Sequence, residues 1–254
     1  MSELEDRLRR RLDAGARALV PYVTGGLDGV DAALLRRLAG AGADAVEIGI
    51  PFSDPVMDGP VIQRASSRAL DGGAHPEAIL QTIGEAAIPA PVVMTYYNPV
   101  LAVGEDRFLA AARDAGVVGI IVPDLPVDEG EGWRARAAAA SVAPVFLAAP
   151  GTGADRLRLV AEGSEGFVYC VSTYGVTGAR GRLEGTARQV VDALRPLTTK
   201  PLLVGVGIST PDQARQAGEF ADGVVVGSAI VTKLLDGDAD GAVELVAALR
   251  AALD

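Results

Sequence analysis

Short apolar runs alternate with amphipathic segments along the whole chain. Eight of the apolar runs are rich in β-branched residues and end at glycine, proline, aspartate or serine, which predicts strands. They span residues 18–24, 45–50, 91–96, 117–122, 144–148, 166–172, 201–206 and 222–227. Between them, apolar residues recur at helical spacing, as at Leu34, Leu35 and Leu38, and Pro76 stands at the first position of a predicted helix.

Continuous apolar strands separated by helices are typical of a parallel sheet that is buried on both faces. Eight strand–helix units in 254 residues match the (β/α)8 barrel, known as the TIM barrel. We therefore expect an α/β fold in which residues 1–254 form a single barrel domain. An extra N-terminal helix and a short helix after the eighth strand complete the prediction. An open, doubly wound sheet is the alternative.

Composition excludes several classes of protein. With 49% hydrophobic and 22% charged residues the chain is globular in character, and no apolar run approaches the ~20 residues that cross a bilayer. The charged N-terminus lacks the apolar stretch of a signal peptide, so we expect a cytoplasmic protein without membrane contact. The net charge of −10 and the absence of a basic cluster argue against nucleic acid as a partner. One cysteine, Cys170, and one histidine, His75, exclude an internal disulfide and the usual zinc ligand sets.

Glu47 interrupts an apolar strand. Alternation along the strand places the bulky residues Val46, Ile48 and Ile50 on one face, and Glu47 on the other. Because the bulky face should pack on helices, Glu47 would point into the barrel. Burial of an unpaired carboxylate is costly and is expected to raise its pKa. A structural carboxylate with a partner in the core is the alternative interpretation.

Asp58 follows in a loop stiffened by Pro51, Pro55 and Pro60, long enough to fold back over the barrel mouth. Taken alone, it could be an ordinary solvated turn residue. Two carboxylates in different environments at one barrel mouth nevertheless form a candidate acid–base pair, with Glu47 buried and Asp58 on the loop.

Three glycine-containing turns follow the last three predicted strands, at residues 175–178, 205–209 and 227–228. Glycine lets backbone N–H groups approach an anion, and Gly227 and Ser228 would open a short helix whose N-terminus favours negative charge. Barrels commonly hold phosphate on the loops after strands seven and eight. A phosphate site is therefore predicted here, although tight-turn glycines without a ligand are the alternative.

Residues 47–63, with the sequence EIGIPFSDPVMDGPVIQ, closely resemble the signature of the tryptophan synthase α subunit. The similarity extends over nearly the whole chain, and its other motifs are PYVT at 21–24, YYNP at 96–99, PDLP at 123–126, GVTG at 175–178, GVGIS at 205–209 and VVVGSAIV at 224–231. The motif after the second strand is highly specific. The glycine motifs are shared by many phosphate-binding barrels.

The resemblance implies a lyase that cleaves indole-3-glycerol phosphate to indole and glyceraldehyde 3-phosphate. Glu47 and Asp58 match the family's catalytic carboxylates, Thr177 matches a threonine on a mobile loop, and Tyr169 matches an active-site tyrosine. The positions that match the family's phosphate site are Gly178, Gly207, Gly227 and Ser228. Those that match its indole pocket are Tyr22, Met94, Ile121, Leu147 and Val206.

The resemblance also implies a partner. The family passes indole to a β subunit that carries pyridoxal phosphate, so an α2β2 assembly is expected, with no cofactor and no metal in this chain. The two lysines of the chain agree with this expectation. Lys200 precedes the seventh predicted strand, at the closed end of the barrel, and Lys233 lies in the helix after the phosphate motif.

Retro-aldol cleavage needs an electron sink, which a lysine Schiff base or a divalent metal can supply. Since neither lysine projects from the C-terminal end of a strand and no metal-ligand set is present, the sequence favours a substrate that carries its own sink. Indole qualifies, because protonation at C3 gives an electron-accepting indolenine. Our hypothesis is that Glu47 moves a proton between C3 and the glycerol hydroxyl, while Asp58 accepts the indole N–H.

Three other functions remain open at this stage. One is a phosphosugar isomerase or another phosphate-binding barrel without the indole reaction. Another is a free-standing lyase that releases indole and has no β partner. A third is a non-enzymatic sensor of a phosphate ligand, or an activating subunit.

Overall fold

The computed structural model describes residues 1–171, 180–205 and 207–254, with the backbone alone for residues 180–184. The described residues form nine strands and twelve helices. The strands are β1 (Ala18–Thr24), β2 (Val46–Gly49), β3 (Pro91–Met94), β4 (Gly119–Ile121), β5 (Ala143–Val145), β6 (Leu147–Ala148), β7 (Val168–Val171), β8 (Leu202–Gly205) and β9 (Gly223–Val226).

Helices connect and surround the strands. They are α1 (Glu3–Asp13), α2 (Ala32–Gly40), α3 (Pro60–Asp71), α4 (Pro76–Ala86), α5 (Tyr97–Val103), α6 (Glu105–Asp114), α7 (Glu131–Ala139), α8 (Ala154–Gly163), α9 (Arg180–Leu194), α10 (Pro211–Gly218), α11 (Ser228–Leu235) and α12 (Ala239–Leu253). In the described part of the chain, no helix has both the length and the apolar character needed to cross a membrane.

All strand pairs are parallel, in the order β5-β4-β3-β2-β1-β9-β8-β7-β6. The two edge strands, β5 and β6, are separated along the chain by Phe146 alone, so they are two halves of one bent strand that closes the sheet into a barrel. The predicted (β/α)8 barrel is thereby confirmed.

The prediction of one continuous strand over 144–148 was wrong at Phe146. Its N–H donates to Ser164 Oγ (3.2 Å), while its carbonyl accepts from Tyr169 N (3.1 Å). The backbone therefore leaves its pairing with β4 and joins β7 at this residue, which divides the strand in two.

A separate apolar cluster fills the inside of the barrel. Its members on or beside the strands include Ala18, Val20, Ala45, Val92, Ile121, Ala143, Val145, Phe167, Leu203 and Val225. Leu4 and Leu8 of α1 join this cluster from the end where the strands begin. A Cβ on Gly119 or Gly166 would lie 2.6 Å from Leu4 Cδ2, so these glycines make room for the helix. The predicted N-terminal helix thus closes one end of the barrel, and the site must lie at the other.

Candidate active site

Glu47 faces the inside of the barrel from β2. It pairs in register with Tyr22 of β1 and Val92 of β3, and its side chain is 1% exposed. Its neighbours Val46 and Ile48 belong to the cluster between the strands and the helices, as the alternation predicts. Oε2 of Glu47 has no hydrogen-bond partner among the residues that the structure describes. Burial, reinforced by the charge of Asp58, raises the pKa of Glu47 to about 8.

Asp58 lies on the loop between β2 and α3. Its N–H donates to the Pro55 carbonyl (3.0 Å), and its own carbonyl accepts from Gln63 Nε2 (2.9 Å). Burial raises the pKa of the Asp58 carboxyl to about 6, and a hydrogen bond from the Tyr96 hydroxyl opposes this rise. The pKa of Glu47 is the higher of the two, because the charge of Asp58 adds to the effect of burial at Glu47, whereas the Tyr96 hydroxyl opposes the effect of burial at Asp58.

The carboxylates share their surroundings with two tyrosines. Burial raises the pKa of both Tyr22 and Tyr169 well above the usual range, and the charges of Asp58 and Glu47 add to the rise. Groups that influence one another in this way lie close together, so Glu47 and Asp58 belong to one site. Between pH 6 and 8 this site favours a protonated Glu47 next to an ionised Asp58.

Each of these tyrosines stands over a glycine on the neighbouring strand. A Cβ on Gly49 of β2 would lie 2.1 Å from Tyr22 Oη, and a Cβ on Gly205 of β8 would lie 2.3 Å from Tyr169 Oη. Any larger residue at either glycine would push the ring out of place. The two glycines thus allow two aromatic rings to stand in the barrel mouth.

Apolar side chains border the same end of the barrel. Ile121 at the end of β4 belongs to the barrel-interior cluster, and Met94, Leu147 and Tyr169 pack against that cluster. Tyr22 is buried at the end of β1. Of the five residues matched to the indole pocket, Ile121, Met94 and Leu147 thus share the barrel-interior cluster, and Tyr22 lies on β1 in register with Glu47. The fifth, Val206, lies outside the described residues.

The backbone turns that the sequence assigns to phosphate are partly described. Gly207 has φ of +89°, a left-handed conformation that favours glycine. Gly227 precedes α11 and Ser228 is its first residue, as predicted. Since glycine has no side chain to cap the helix, the first N–H groups of α11 are open to an anion. Thr177 and Gly178 lie outside the described residues.

Two further residues of the site escaped the sequence reasoning. The Tyr96 hydroxyl accepts a hydrogen bond from Met57 N (2.9 Å), and Gln63 holds the Asp58 carbonyl. Tyr96 lies two residues after the end of β3, so its position after a strand was a signal that could have identified it.

In the described part of the chain, no group of three His, Cys, Asp or Glu residues is arranged to hold a metal ion.

Comparison with known proteins identifies similar chains. A family model described as tryptophan synthase alpha chain matches residues 8–252. The tryptophan synthase alpha chain of Carboxydothermus hydrogenoformans is 43% identical over 237 residues, which cover 91% of this chain and 88% of the relative. The tryptophan synthase alpha chain of Streptomyces coelicolor is 43% identical over 261 residues, which cover 98% of this chain and 94% of the relative.

Solved structures agree with this comparison. A structure of Mycobacterium tuberculosis tryptophan synthase in space group F222 superposes with a TM-score of 0.92 at 37% identity, covering 99% of this chain and 98% of that one. The tryptophan synthase subunit alpha of Legionella pneumophila gives a TM-score of 0.89 at 31% identity, with 100% and 99% covered.

Proposed function

This chain belongs to the tryptophan synthase alpha chain family, and from that premise we propose that it cleaves indole-3-glycerol phosphate to indole and glyceraldehyde 3-phosphate. The observation that carries the proposal is the pairing of a buried Glu47, whose Oε2 is unpaired in the described structure, with the loop-borne Asp58. Their different pKa values supply a proton donor and a carboxylate at the same pH.

The reaction divides between these two groups. Protonated Glu47 donates its proton to indole C3, and the positive charge that develops on the ring nitrogen is stabilised by ionised Asp58, which accepts the N–H. The bond between C3 and the first glycerol carbon then breaks, and its electron pair neutralises the ring. Glu47 takes the proton of the hydroxyl on that carbon as the aldehyde forms, so the site returns to its starting protonation.

Substrate orientation is assigned to the remaining residues. We propose that Gly178, Gly207, Gly227 and Ser228 bind the phosphate, where the α11 N-terminus supplies about half a positive charge. The indole ring would lie among Tyr22, Met94, Ile121, Leu147 and Val206. Tyr169 and Thr177 would position the reacting part. Anchoring both ends of the substrate lowers the entropic cost of bringing C3 to Glu47.

Neither lysine of the chain can serve this site as a Schiff base. Lys200, which precedes β8, donates from Nζ to the carbonyl of Ala161 in α8 (2.8 Å). Lys233 Nζ donates to the Asp238 carboxylate (3.1 Å). In this family pyridoxal phosphate belongs to the β subunit. We propose an α2β2 complex in the cytoplasm, in which residues 1–254 act as one barrel domain and hand indole to the partner.

Indole release from indole-3-glycerol phosphate by the purified chain tests the proposal, alone and with a β subunit. We expect Glu47→Gln and Asp58→Asn each to lower kcat by roughly 10²- to 10⁴-fold. Asp54→Asn is a matched control, because Asp54 is exposed on the same loop and its carboxylate bonds Ser53. A Glu47→Gln protein that binds a substrate analogue yet cleaves at the wild-type rate would remove Glu47 from this role. Equal rates with and without the β subunit would favour a free-standing lyase.

A further inference from the structure

Tyr96 lies at a rigid point of the barrel mouth. It follows β3, where Thr95 N still donates to the Ile121 carbonyl (3.0 Å), and on its other side Tyr97 N donates to Asp124 Oδ1 (2.9 Å). The Tyr96 side chain is 3% exposed, and its ring lies 5.2 Å from the Phe52 ring, centroid to centroid. The hydroxyl of Tyr96 therefore has a fixed position relative to the sheet.

The loop that carries Asp58 has few attachments of its own. Its internal hydrogen bonds join Val56 N to the Asp54 carbonyl, Asp58 N to the Pro55 carbonyl and Ser53 Oγ to the Asp54 carboxylate. Gln63 Nε2 of α3 donates to the carbonyls of Pro55 (3.4 Å) and Asp58 (2.9 Å), but none of these bonds involves the Asp58 carboxylate. Val56 at its tip is 79% exposed, so burial of apolar surface does not hold the tip in place. Contacts from outside the loop must therefore determine where the Asp58 carboxylate lies.

Tyr96 supplies such contacts at two consecutive residues. Its oxygen accepts a hydrogen bond from Met57 N (2.9 Å), and the same hydroxyl faces the Asp58 carboxylate, whose pKa it lowers. One phenol thus binds the backbone of residue 57 and faces the side chain of residue 58. A phenylalanine would keep the ring packing on Phe52 and lose both the hydrogen bond from Met57 N and the interaction with Asp58.

We propose that Tyr96 is the positioning residue for Asp58, and that its hydroxyl holds the carboxylate where it can accept the N–H of the substrate's ring. The inference rests on the proposed function, because it gives Tyr96 a role in the same cleavage reaction. Tyr96 acts through Asp58 and needs no contact with the reacting atoms.

The charges around Asp58 make this hydrogen bond important. Among the described residues, the ionisable groups that face Asp58 are Glu47 from β2, Tyr22 from β1, Tyr169 from β7 and Tyr96 itself. Asp124 adds a further negative charge near Tyr96. Since burial raises the pKa of Asp58 and the Tyr96 hydrogen bond lowers it, loss of the hydroxyl makes Asp58 harder to ionise.

The test is the pH profile of kcat/KM for indole release. With Asp58 ionising near pH 6 and Glu47 losing its proton near pH 8, the wild-type profile should be bell-shaped. We expect Tyr96→Phe to move the acidic limb upward by roughly one pH unit, and to lower kcat at neutral pH about tenfold. Site-specific 3,5-difluorotyrosine at residue 96 keeps the shape and donates more strongly, so it should move the limb downward.

Tyr97→Phe is the matched control. The Tyr97 hydroxyl bonds Glu105 Oε1 (2.8 Å) and its ring meets Trp133 edge-on, away from Asp58. This variant should keep the wild-type pH profile. In an Asp58→Asn background, Tyr96→Phe should no longer alter the pH dependence of binding of a non-cleavable indole alkyl phosphate.

The outcomes separate the inference from the proposed function. Wild-type protein that releases no indole contradicts the proposed function itself. Wild-type protein that releases indole, with an acidic limb that stays in place in both Tyr96 variants, overturns the role of Tyr96 alone. If Tyr96→Phe fails to fold, the difluorotyrosine protein decides the question, because it retains the hydroxyl and the ring.

Discussion

The Tyr22 hydroxyl occupies the space in which a side chain at Gly49 would lie, since a Cβ there would be 2.1 Å from Tyr22 Oη and 2.6 Å from Cζ. Tyr22 pairs with Glu47 in register, and Gly49 is the next residue of β2 on the same face as Glu47. The Tyr22 phenol thus lies against β2 at Gly49, two residues beyond Glu47 towards the barrel mouth. A missing side chain on one strand makes room for an aromatic ring from another.

Gly49→Ala should therefore damage the site and the fold together. The added methyl must displace the Tyr22 ring, and overpacking of this kind costs about 1–3 kcal/mol. We expect kcat/KM to fall at least tenfold, measured alongside the free energy of unfolding in denaturant. Gly40→Ala is the control, because nothing lies within 4 Å of a Cβ there, at the end of α2. Gly49→Ala with wild-type kinetics would show that the ring position is unimportant.

Glu47 should make the protein less stable as the pH rises. Its pKa is about 8 in the folded protein against 4.5 for the free side chain, so between these values the folded state holds a proton that the unfolded state has released. The free energy of unfolding then falls with pH, by up to roughly 1.4 kcal/mol per pH unit. The raised pKa of Asp58 likewise lowers the free energy of unfolding as the pH rises from 3.8 to about 6.

Glu47→Gln removes the larger of these two effects, because an amide does not titrate. Denaturant unfolding at pH 5, 7 and 8.5 should show a variant that gains stability over wild type as the pH increases. The gain should be smallest at pH 5, which lies only just above the pKa of 4.5 for the free side chain, so that little of the pH-dependent loss of stability has accumulated there. A stability difference that is constant across this range would contradict a buried, proton-holding Glu47.

A buried ion pair joins the closed end of the barrel to the C-terminal helix. Asp44 accepts from Leu19 N (2.9 Å), from Arg11 Nε (2.8 Å) and from Arg250 Nη1 (3.0 Å). Asp44→Ala leaves the buried Arg250 without this carboxylate, so we expect a loss of about 3–5 kcal/mol in the free energy of unfolding. For variant protein that folds, KM for indole-3-glycerol phosphate should stay unchanged, because Asp44 and Arg250 lie at the closed end of the barrel, opposite the candidate active site.

The exposed pair Arg37–Asp240 is the control for this variant. Both side chains are largely in solvent, and exposed pairs contribute about 0–1 kcal/mol. Asp240→Ala should therefore change the midpoint of chemical denaturation only slightly. Equal losses from Asp44→Ala and Asp240→Ala would contradict the importance of burial at Asp44.

The local pattern of apolar, proline and glycine residues was sufficient to predict much of the fold and part of the candidate site. The alternation around Glu47 predicts its face, and Pro76 marks the start of α4, where the His75 side chain accepts from Ala78 N. The Gly227–Ser228 step likewise predicts α11. Each of these features depends on residues within a few positions of one another, and such patterns are visible in a single sequence.

Contacts between distant residues could not be predicted in this way. The break at Phe146 depends on Ser164, the ion pair of Asp44 depends on Arg250, and the placement of Asp58 depends on Tyr96. In each case one partner looks ordinary in its own segment, and only the closed barrel brings the pair together. Periodicity contains no information about which loop will meet which strand end.

Ser228→Asp separates phosphate binding from helix stability. Ser228 is the first residue of α11, where a carboxylate interacts favourably with the helix dipole and should add about 0.3–1 kcal/mol to the free energy of unfolding. The same charge repels a substrate phosphate, so KM for indole-3-glycerol phosphate should rise at least tenfold. Thr232→Asp adds an equal charge one turn later on the exposed face of α11 and should leave KM nearly unchanged. A Ser228→Asp protein with wild-type KM would show that the phosphate does not bind at this helix N-terminus.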